Sequence, residues 1–249
     1  MLPPRPRERT LTAALSPTQS ALMPSAGAAA TTSLTLSVVA AAPGDTRVHL
    51  GALAPSGWTV TSGSSDLTLR PRGGTTQQQL PVTVTVPAGT PAGTYAVTVT
   101  AAAGRDLSWP AVAHVAVARS IAFDTGTAAE LPWLSADNGS QSSGPGNRFA
   151  DGAHSFAYRF PLPADTISAT VTLSIDNEFL VQASPDGHTW TTVLIEDRRI
   201  TDGSNKADRT IDVTPFLRSD RSVFIRVGDS FPEDGWGGRV SHVAVTIAS

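Results

Sequence analysis

The sequence predicts an all-β protein, with an immunoglobulin-like β-sandwich followed by a jelly-roll β-sandwich. Only 16% of the 249 residues are charged, well below the roughly 25% of ordinary soluble domains, so long charged helices and coiled coils are disfavoured. Apolar residues instead alternate with Thr and Ser over short segments, as they do on half-buried strands. The 21 Gly and 19 Pro separate these segments and supply the turns between them.

The first series of strands is expected within residues 31–118. Alternating apolar positions run through 34–38, 80–86 and 113–117, with Thr at many of the positions between them. Residues 1–30 show no such period, so we expect a disordered leader or the cut end of a longer protein there.

A second domain is expected over residues 119–249, because composition, aromatic content and charge all change near Arg119. About eight alternating segments follow, a number that suits a jelly roll. A long loop rich in Gly, Ser and Asn is expected at 124–154, and loops of this length in compact domains are often functional. Trp190 falls on a predicted strand, and we expect it in the core.

The distribution of charge excludes several classes of partner. Residues 1–118 carry a net charge of +3, whereas residues 119–249 carry −6. Nucleic acids and anionic membranes require clustered Lys and Arg, which an acidic second domain lacks. No apolar run approaches the roughly 18 residues that a membrane-spanning helix needs. We therefore expect a monomer with neither nucleic acid nor a membrane as its partner.

Four segments of the first domain form a distinctive pattern: APSGWTV at 54–60, LRPRGG at 69–74, LPVTVTVPAG at 80–89 and GTYAVTVTA at 93–101. This pattern resembles the NEW3 domain, a small β-sandwich that accompanies galactosidase-type catalytic domains. The resemblance implies that Trp58 and Tyr95 are core anchors. It also implies a spacer or a docking surface that carries no chemistry of its own.

The second domain carries a strand, a Ser-Pro-Asp-Gly turn and a Trp-bearing return strand, in the sequence EFLVQASPDGHTWTTV at 178–193. Two later segments, VFIRVGDS at 223–230 and VSHVAVTI at 240–247, complete the pattern. Together they resemble the galactose-binding-like jelly roll of discoidin-type domains and carbohydrate-binding modules. The resemblance implies the scaffold but not the ligand, because this fold carries sugar binders, protein binders and spacers.

The segment DGWGG at 234–238 is the strongest candidate for a binding site. Aromatic rings cover the C–H faces of sugars while carboxylates and amides hold the hydroxyl groups, so Trp236 with Asp234 has suitable chemistry. The alternative is a structural turn whose Trp caps the core.

The predicted long loop supplies three more candidates for the glycan site. Trp133, Asn138 and Arg148 would line the same cleft as Trp236 if this loop lay against the Gly-rich segment. The alternative is a flexible loop with Trp133 packed on its own strand.

Calcium is a second possible ligand, because Asp124 and Asp229 belong to oxygen-rich segments of the kind that calcium prefers. The sequence has no EF-hand pattern, so solvated turns are the alternative at both positions. The five His show no zinc-binding spacing. The absence of Cys excludes thiol catalysis and disulfides.

We expect no enzymatic activity. The sequence has no nucleophile elbow, phosphate-binding loop or dinucleotide fingerprint. Glycosidases need two carboxyl groups about 5–10 Å apart, and adjacent acids such as Glu233 and Asp234 point to opposite faces of an extended chain.

These observations predict a non-catalytic accessory region of a secreted carbohydrate-active enzyme, whose second domain binds glycan. The expected partners are a glycan or a glycoside hydrolase catalytic domain. The expected location is extracellular or on the cell surface, although the chain shows no signal peptide. The alternative is a structural spacer or protein-docking module without glycan binding, which a broad exposed apolar patch would favour.

Overall fold

The structure, a computed structural model, describes residues 9–25, 27–71, 74–218 and 220–248. Within these ranges the chain forms twenty β-strands and one 3-10 turn at Thr214–Phe216. The prediction of an all-β chain is confirmed. In the part of the chain that is described, no helix has the length and apolar character needed to cross a membrane.

The chain forms two compact units. The first comprises residues up to Ser20 together with Ala29–Val117, and the second comprises Ala21–Ala28 together with residues from Ala118 onward. The division after Val117 lies beside the change in composition near Arg119.

The first nine strands build two sheets: β1 (Thr10–Ser16), β2 (Gln19–Leu22), β3 (Ala30–Ala41), β4 (Thr46–Leu53), β5 (Thr59–Ser62), β6 (Asp66–Leu69), β7 (Thr75–Val86), β8 (Gly93–Ala103) and β9 (Leu107–Val117). One sheet has the order β1-β3-β7-β5 and the other the order β2-β9-β8-β4-β6. Alternate apolar residues of the long strands, such as Leu36, Val84 and Val97, are completely buried. Their opposite faces carry Thr and Ser, which explains why the sequence alternates as it does.

The remaining strands build two sheets in the second unit: β10 (Ile121–Asp124), β11 (Leu134–Asn138), β12 (Gln141–Gly144), β13 (Asn147–Asp151), β14 (Ser155–Pro161), β15 (Ser168–Asp176), β16 (Leu180–Ser184), β17 (Thr191–Ile195), β18 (Ala207–Asp212), β19 (Ser222–Gly228) and β20 (Gly237–Ala248). One sheet has the order β12-β13-β20-β15-β18, with β10 also paired to β20, and the other has the order β11-β14-β19-β16-β17. Phe156, Tyr158 and Phe160 of β14 are fully buried between them.

The prediction of a disordered leader over residues 1–30 is wrong for the strands β1 and β2. Leu11, Ala13 and Leu15 alternate on β1 and are buried, and β1 pairs with β3. This alternation lies among Ala and Thr, which weakens it as a sequence signal, and burial against β3 supplies the free energy that fixes it. Residues 1–8 lie outside the described residues.

Two further predictions are corrected by the structure. The segment 124–154 was expected to be one long loop, but it contains β11, β12 and β13. The apolar alternation of these three strands is weak because their outward faces are polar.

Trp58 and Tyr95 contact each other, with ring centroids 5.0 Å apart, but both are half-buried and lie outside the core.

Candidate functional site

A concavity of about 210 Å³ lies on the outer face of the sheet that contains β12, β13 and β20. Its lining combines two aromatic rings with amides, a hydroxyl and a guanidinium. The lining residues are Gln141, Ser143, Asn147, Phe149, Asn177, Trp236 and Arg239.

Strand register brings these side chains together. Gln141 on β12 lies opposite Phe149 on β13, which lies opposite Arg239 on β20. Directly opposite residues of antiparallel strands share one face of the sheet. Asn147 shares that face because it lies two residues before Phe149, and its Nδ2 donates a hydrogen bond to Ser143.

Trp236 forms the exposed aromatic wall, with 46% of its surface accessible. Its backbone N–H donates a hydrogen bond of 3.1 Å to Oδ1 of Asp234, which fixes the turn that carries the indole. Gly235 adopts a φ of +76°, a left-handed conformation that favours glycine. A Cβ at Gly237 would lie 1.9 Å from the carbonyl oxygen of Ala150. The glycines on both sides of Trp236 therefore meet steric demands of the backbone.

The positive charge in the concavity is neutralised. Arg239 donates from Nε to Oδ1 of Asp176 at 2.8 Å and from Nη2 to Oδ2 at 2.6 Å. Asp176 is almost completely buried, whereas the Arg239 side chain is 40% exposed. The hydrogen bonds that Arg239 donates to Asp176 are the largest cause of the raised pKa of Arg239. The concavity therefore offers hydrogen-bond donors without a net charge.

Asn177 is held by an adjacent loop. Its N–H donates to Oδ1 of Asn205 and its carbonyl accepts from Nδ2 of the same residue, both at 2.9 Å. Its Oδ1 accepts from the N–H of Gly203. These bonds hold Asn177 at a φ of +62°, which is uncommon for a residue other than glycine. The rim of the concavity is therefore preorganised.

Glu178 lies next to Asn177 and is completely buried. In the described structure neither carboxylate oxygen accepts a hydrogen bond from a donor. Burial raises the pKa of Glu178, and the neighbouring carboxylates of Asp234 and Asp229 raise it further. A proton on this carboxyl group allows it to bond to Asp234, which an ionised pair cannot do. Glu178, Asp229 and Asp234 therefore form a group of interacting carboxyl groups beside the turn that carries Trp236.

Two of the residues predicted for the glycan site lie in the core instead. Trp133 is only 6% exposed, and its ring lies 6.3 Å from that of Phe160. Arg148 is also 6% exposed and forms a buried ion pair with Glu130. The prediction that both line the cleft with Trp236 is wrong, because β13 alternates and turns Arg148 inward between Asn147 and Phe149.

The other two residues predicted to contact glycan, Asn138 and Asp234, do not line the concavity. Asn138 is exposed at the end of β11 and donates to the carbonyl of Ala153 at 3.4 Å. It does not line the concavity. Asp234 does not line it either, but it orients Trp236 through the backbone bond described above. Trp236 is therefore the one predicted residue that reaches the concavity directly.

The two predicted calcium ligands have protein partners. Oδ1 of Asp124 lies 2.8 Å from Nδ1 of His242. The carboxylate of Asp229 accepts hydrogen bonds from the backbone N–H groups of Phe231 and Gly152, at 2.7 and 2.8 Å. Among the described residues, no three His, Asp or Glu side chains converge on a metal position. Calcium at Asp124 or Asp229 stays a prediction.

Most of the polar lining of the concavity is not apparent from the sequence. Gln141, Asn147 and Phe149 come from short strands whose outward faces are polar, so their alternation is faint. Arg239 could have been found, because it lies three residues after Trp236 at the start of the closing strand. Its pairing with Asp176 depends on the contact between β15 and β20, which is not a local property of the sequence.

Solved structures resemble this chain only weakly. An α-L-rhamnosidase from Streptomyces avermitilis, complexed with L-rhamnose, has 13% identity and a TM-score of 0.31; the match covers 97% of this chain and 24% of that protein. A secreted serine protease from Vibrio cholerae has 8% identity and a TM-score of 0.27, over 92% of this chain and 49% of the protease. This chain thus spans half or less of either protein.

A chaperone from Escherichia coli has 14% identity and a TM-score of 0.32, and the match covers 82% of this chain and 85% of the chaperone. No curated protein matches the sequence. Residues 25–104 match the family model described as the NPCBM-associated NEW3 domain of alpha-galactosidase.

Proposed function

We propose that this protein is a non-catalytic accessory region of an extracellular glycoside hydrolase, and that its second unit binds a neutral glycan in the concavity beside Trp236. The observation that carries the proposal is the half-exposed indole of Trp236 next to Phe149, within a ring of amide groups. The association of the NEW3 domain with alpha-galactosidase supports the accessory role.

The aromatic groups supply the apolar part of the binding surface. A pyranose presents a face of C–H groups, which packs against an indole ring and leaves the hydroxyl groups at the edge of the sugar. The backbone of Trp236 is held by Asp234, so little freedom of the turn is lost on binding. We therefore assign Trp236 as the main contact and Phe149 as the second.

The polar groups suit hydroxyl ligands. Gln141 and Asn147 offer both donors and acceptors, and Arg239 offers donors whose charge Asp176 neutralises. Each new hydrogen bond replaces one to water, so its net contribution is about 1 kcal/mol. A few such bonds and one aromatic contact predict a dissociation constant in the range of about 1 μM to 1 mM.

A glycan array tests this proposal. The full chain should retain neutral glycans, and Trp236→Ala should abolish retention. Trp109→Ala is a matched control, because Trp109 belongs to the first unit and is also 46% exposed. If the wild type retains no neutral glycan, or if both variants lose binding equally, the concavity is not a glycan site.

A second function, protein docking, is supported by one observation on the first unit. Leu53 is 73% exposed and Val112 is 44% exposed, and both lie opposite Thr98 on β8. They are exposed apolar side chains on either side of Thr98 on one face of this sheet. Leu53→Asp should weaken co-elution of the full chain with an alpha-galactosidase catalytic domain, and unchanged co-elution would reject docking at this face.

A further inference from the structure

A second group of side chains lies on the outer face of the sheet β11-β14-β19-β16-β17. Arg226 on β19 lies opposite Gln182 on β16, which lies opposite Thr192 on β17. Trp190 precedes β17 and is half-buried, although the sequence predicted a core position for it. We call Gln182, Trp190, Thr192 and Arg226 the Arg226 face.

The guanidinium of Arg226 is held in one orientation. Its Cζ lies 4.4 Å from the ring centroid of Trp190, which is close for a cation–π contact. Its Nε donates to Oε1 of Gln182 at 2.9 Å, and Nη2 donates to the same oxygen. Stacking and hydrogen bonds together restrict a side chain that otherwise has many rotamers.

The charge of Arg226 has no acidic partner among the described residues, whereas two other arginines of this unit are paired with buried acids. Arg148 pairs with Glu130, and Arg239 pairs with Asp176. Arg226 has a neutral amide as its acceptor. Burial alone lowers the pKa of Arg226, and no neighbouring carboxylate offsets this. An oriented, uncompensated guanidinium is the group that best recognises a carboxylate through two parallel hydrogen bonds.

A second arginine extends the positive surface. Arg159 on β14 lies opposite Phe224, two residues before Arg226 along β19. Its guanidinium lies 6.0 Å from the Phe224 ring, and its Nη2 is 4.0 Å from Oδ2 of Asp220, a long and partly exposed ion pair. Diagonal neighbours on a sheet are about 7–8 Å apart, so a repeating anionic ligand can meet both arginines.

We propose that the Arg226 face binds an anionic glycan whose sugars carry carboxylate groups. Gln182 and Thr192 suit hydroxyl groups, and Arg226 suits the carboxylate. The site is separate from the concavity beside Trp236 and does not depend on the proposed function.

The test measures binding of the full chain to polygalacturonate and to its fully methyl-esterified form by calorimetry at low ionic strength. The wild type should bind the acid at least tenfold more tightly than the ester, since charged hydrogen bonds are the stronger kind. Added salt should weaken this binding, because the ion pair between Arg226 and the glycan carboxylate would be partly exposed to solvent. Arg226→Gln should lower the affinity for polygalacturonate about tenfold or more. Arg226→Lys should lower it too, because an ammonium cannot donate two parallel hydrogen bonds to one carboxylate as a guanidinium does.

Two controls separate this proposal from the proposed function. Arg47→Gln removes the same charge from the first unit and should bind polygalacturonate like the wild type. Trp236→Ala should also bind it like the wild type, whatever happens to neutral glycans. Equal binding of acid and ester, or an Arg226→Gln variant with unchanged affinity and an unchanged melting temperature, would overturn the proposal and leave the stacked arginine with a purely structural role.

Discussion

Arg148 and Glu130 form a bidentate ion pair inside the second unit. Nε of Arg148 lies 2.6 Å from Oε1 of Glu130, and Nη2 lies 3.0 Å from Oε2. Glu130 is inaccessible to solvent and also accepts hydrogen bonds from Tyr158 and from the N–H of Gly126. Together with Tyr158, the pair links the turn before β11 to β13, which contributes to the concavity, and to β14 of the other sheet.

The first prediction concerns the stability of this pair. Arg148→Met leaves a buried carboxylate without its cation, so the free energy of unfolding should fall by about 3–5 kcal/mol. Arg70→Met is the control, because the pair of Arg70 with Asp45 is 3.9 Å long and both side chains are more than 60% exposed. It should change stability by less than about 1 kcal/mol. Denaturant unfolding measures both, and equal losses would contradict the structural role of Arg148.

The second prediction concerns Gly237. A Cβ there meets the carbonyl oxygen of Ala150 at 1.9 Å and the Cα of Asp151 at 2.9 Å, and these backbone atoms cannot move aside as a flexible side chain can. Gly237→Ala should therefore lower stability by roughly 1–3 kcal/mol or more. Gly51→Ala has open space around the new Cβ and should stay within about 0.5 kcal/mol of the wild type. A tolerated Gly237→Ala would show that β13 and β20 are not this close.

The third prediction concerns acid unfolding. The N–H groups of Thr189 and His188 lower the pKa of Asp186 to about 2. A hydrogen bond from Arg198 is the largest contribution that lowers the pKa of Glu196, also to about 2. Carboxyl groups with lowered pKa values stabilise the fold above their ordinary pKa and lose this effect as the pH falls. Asp186→Asn should therefore melt below the wild type at pH 7, by a margin that shrinks between pH 4.5 and pH 2. A margin that is constant with pH would exclude this contribution.

The fourth prediction concerns Glu178 and has the opposite sign. Its raised pKa means that the fold favours the protonated carboxyl group, so its stabilising effect is present at low pH and is lost as the pH rises. Glu178→Gln keeps the shape without the charge and should melt above the wild type at pH 8, with a smaller difference at pH 4.5. A lower melting temperature for Glu178→Gln at pH 8 would indicate that a cation pairs with this carboxylate.

Much of the fold could be predicted from the sequence, because burial of alternate residues is a local pattern. The strands around Leu36 and Val84 follow from period-two alternation. Strand β1 is harder to predict from the sequence, because Leu11 and Leu15 are its only large apolar residues. The burial of β1 also depends on its pairing with β3. Trp190 shows a different limit, since it precedes β17 and contacts Arg226 of β19, a strand that is distant in the sequence.

The candidate site could be predicted only in part. Trp236 was identified because glycines flank it and an acid precedes it. Phe149 and Arg239 were missed because their neighbours come from other strands, in a register that local sequence does not specify. Arg148 was predicted to line the glycan site, but its side chain points into the core. Its neighbours on β13, Asn147 and Phe149, face the concavity on the opposite side of the sheet.

The indole N–H resonances of the full chain test the central claim most directly. The chain has five Trp, so a nitrogen-15 spectrum shows five indole signals, and Trp236→Phe identifies the one of interest. Titration with the best-retained neutral glycan should shift the Trp236 signal with a saturating curve, and the buried Trp133 signal should not move. Shifts confined to any other indole, or no shift at saturating glycan, would contradict glycan binding in the concavity.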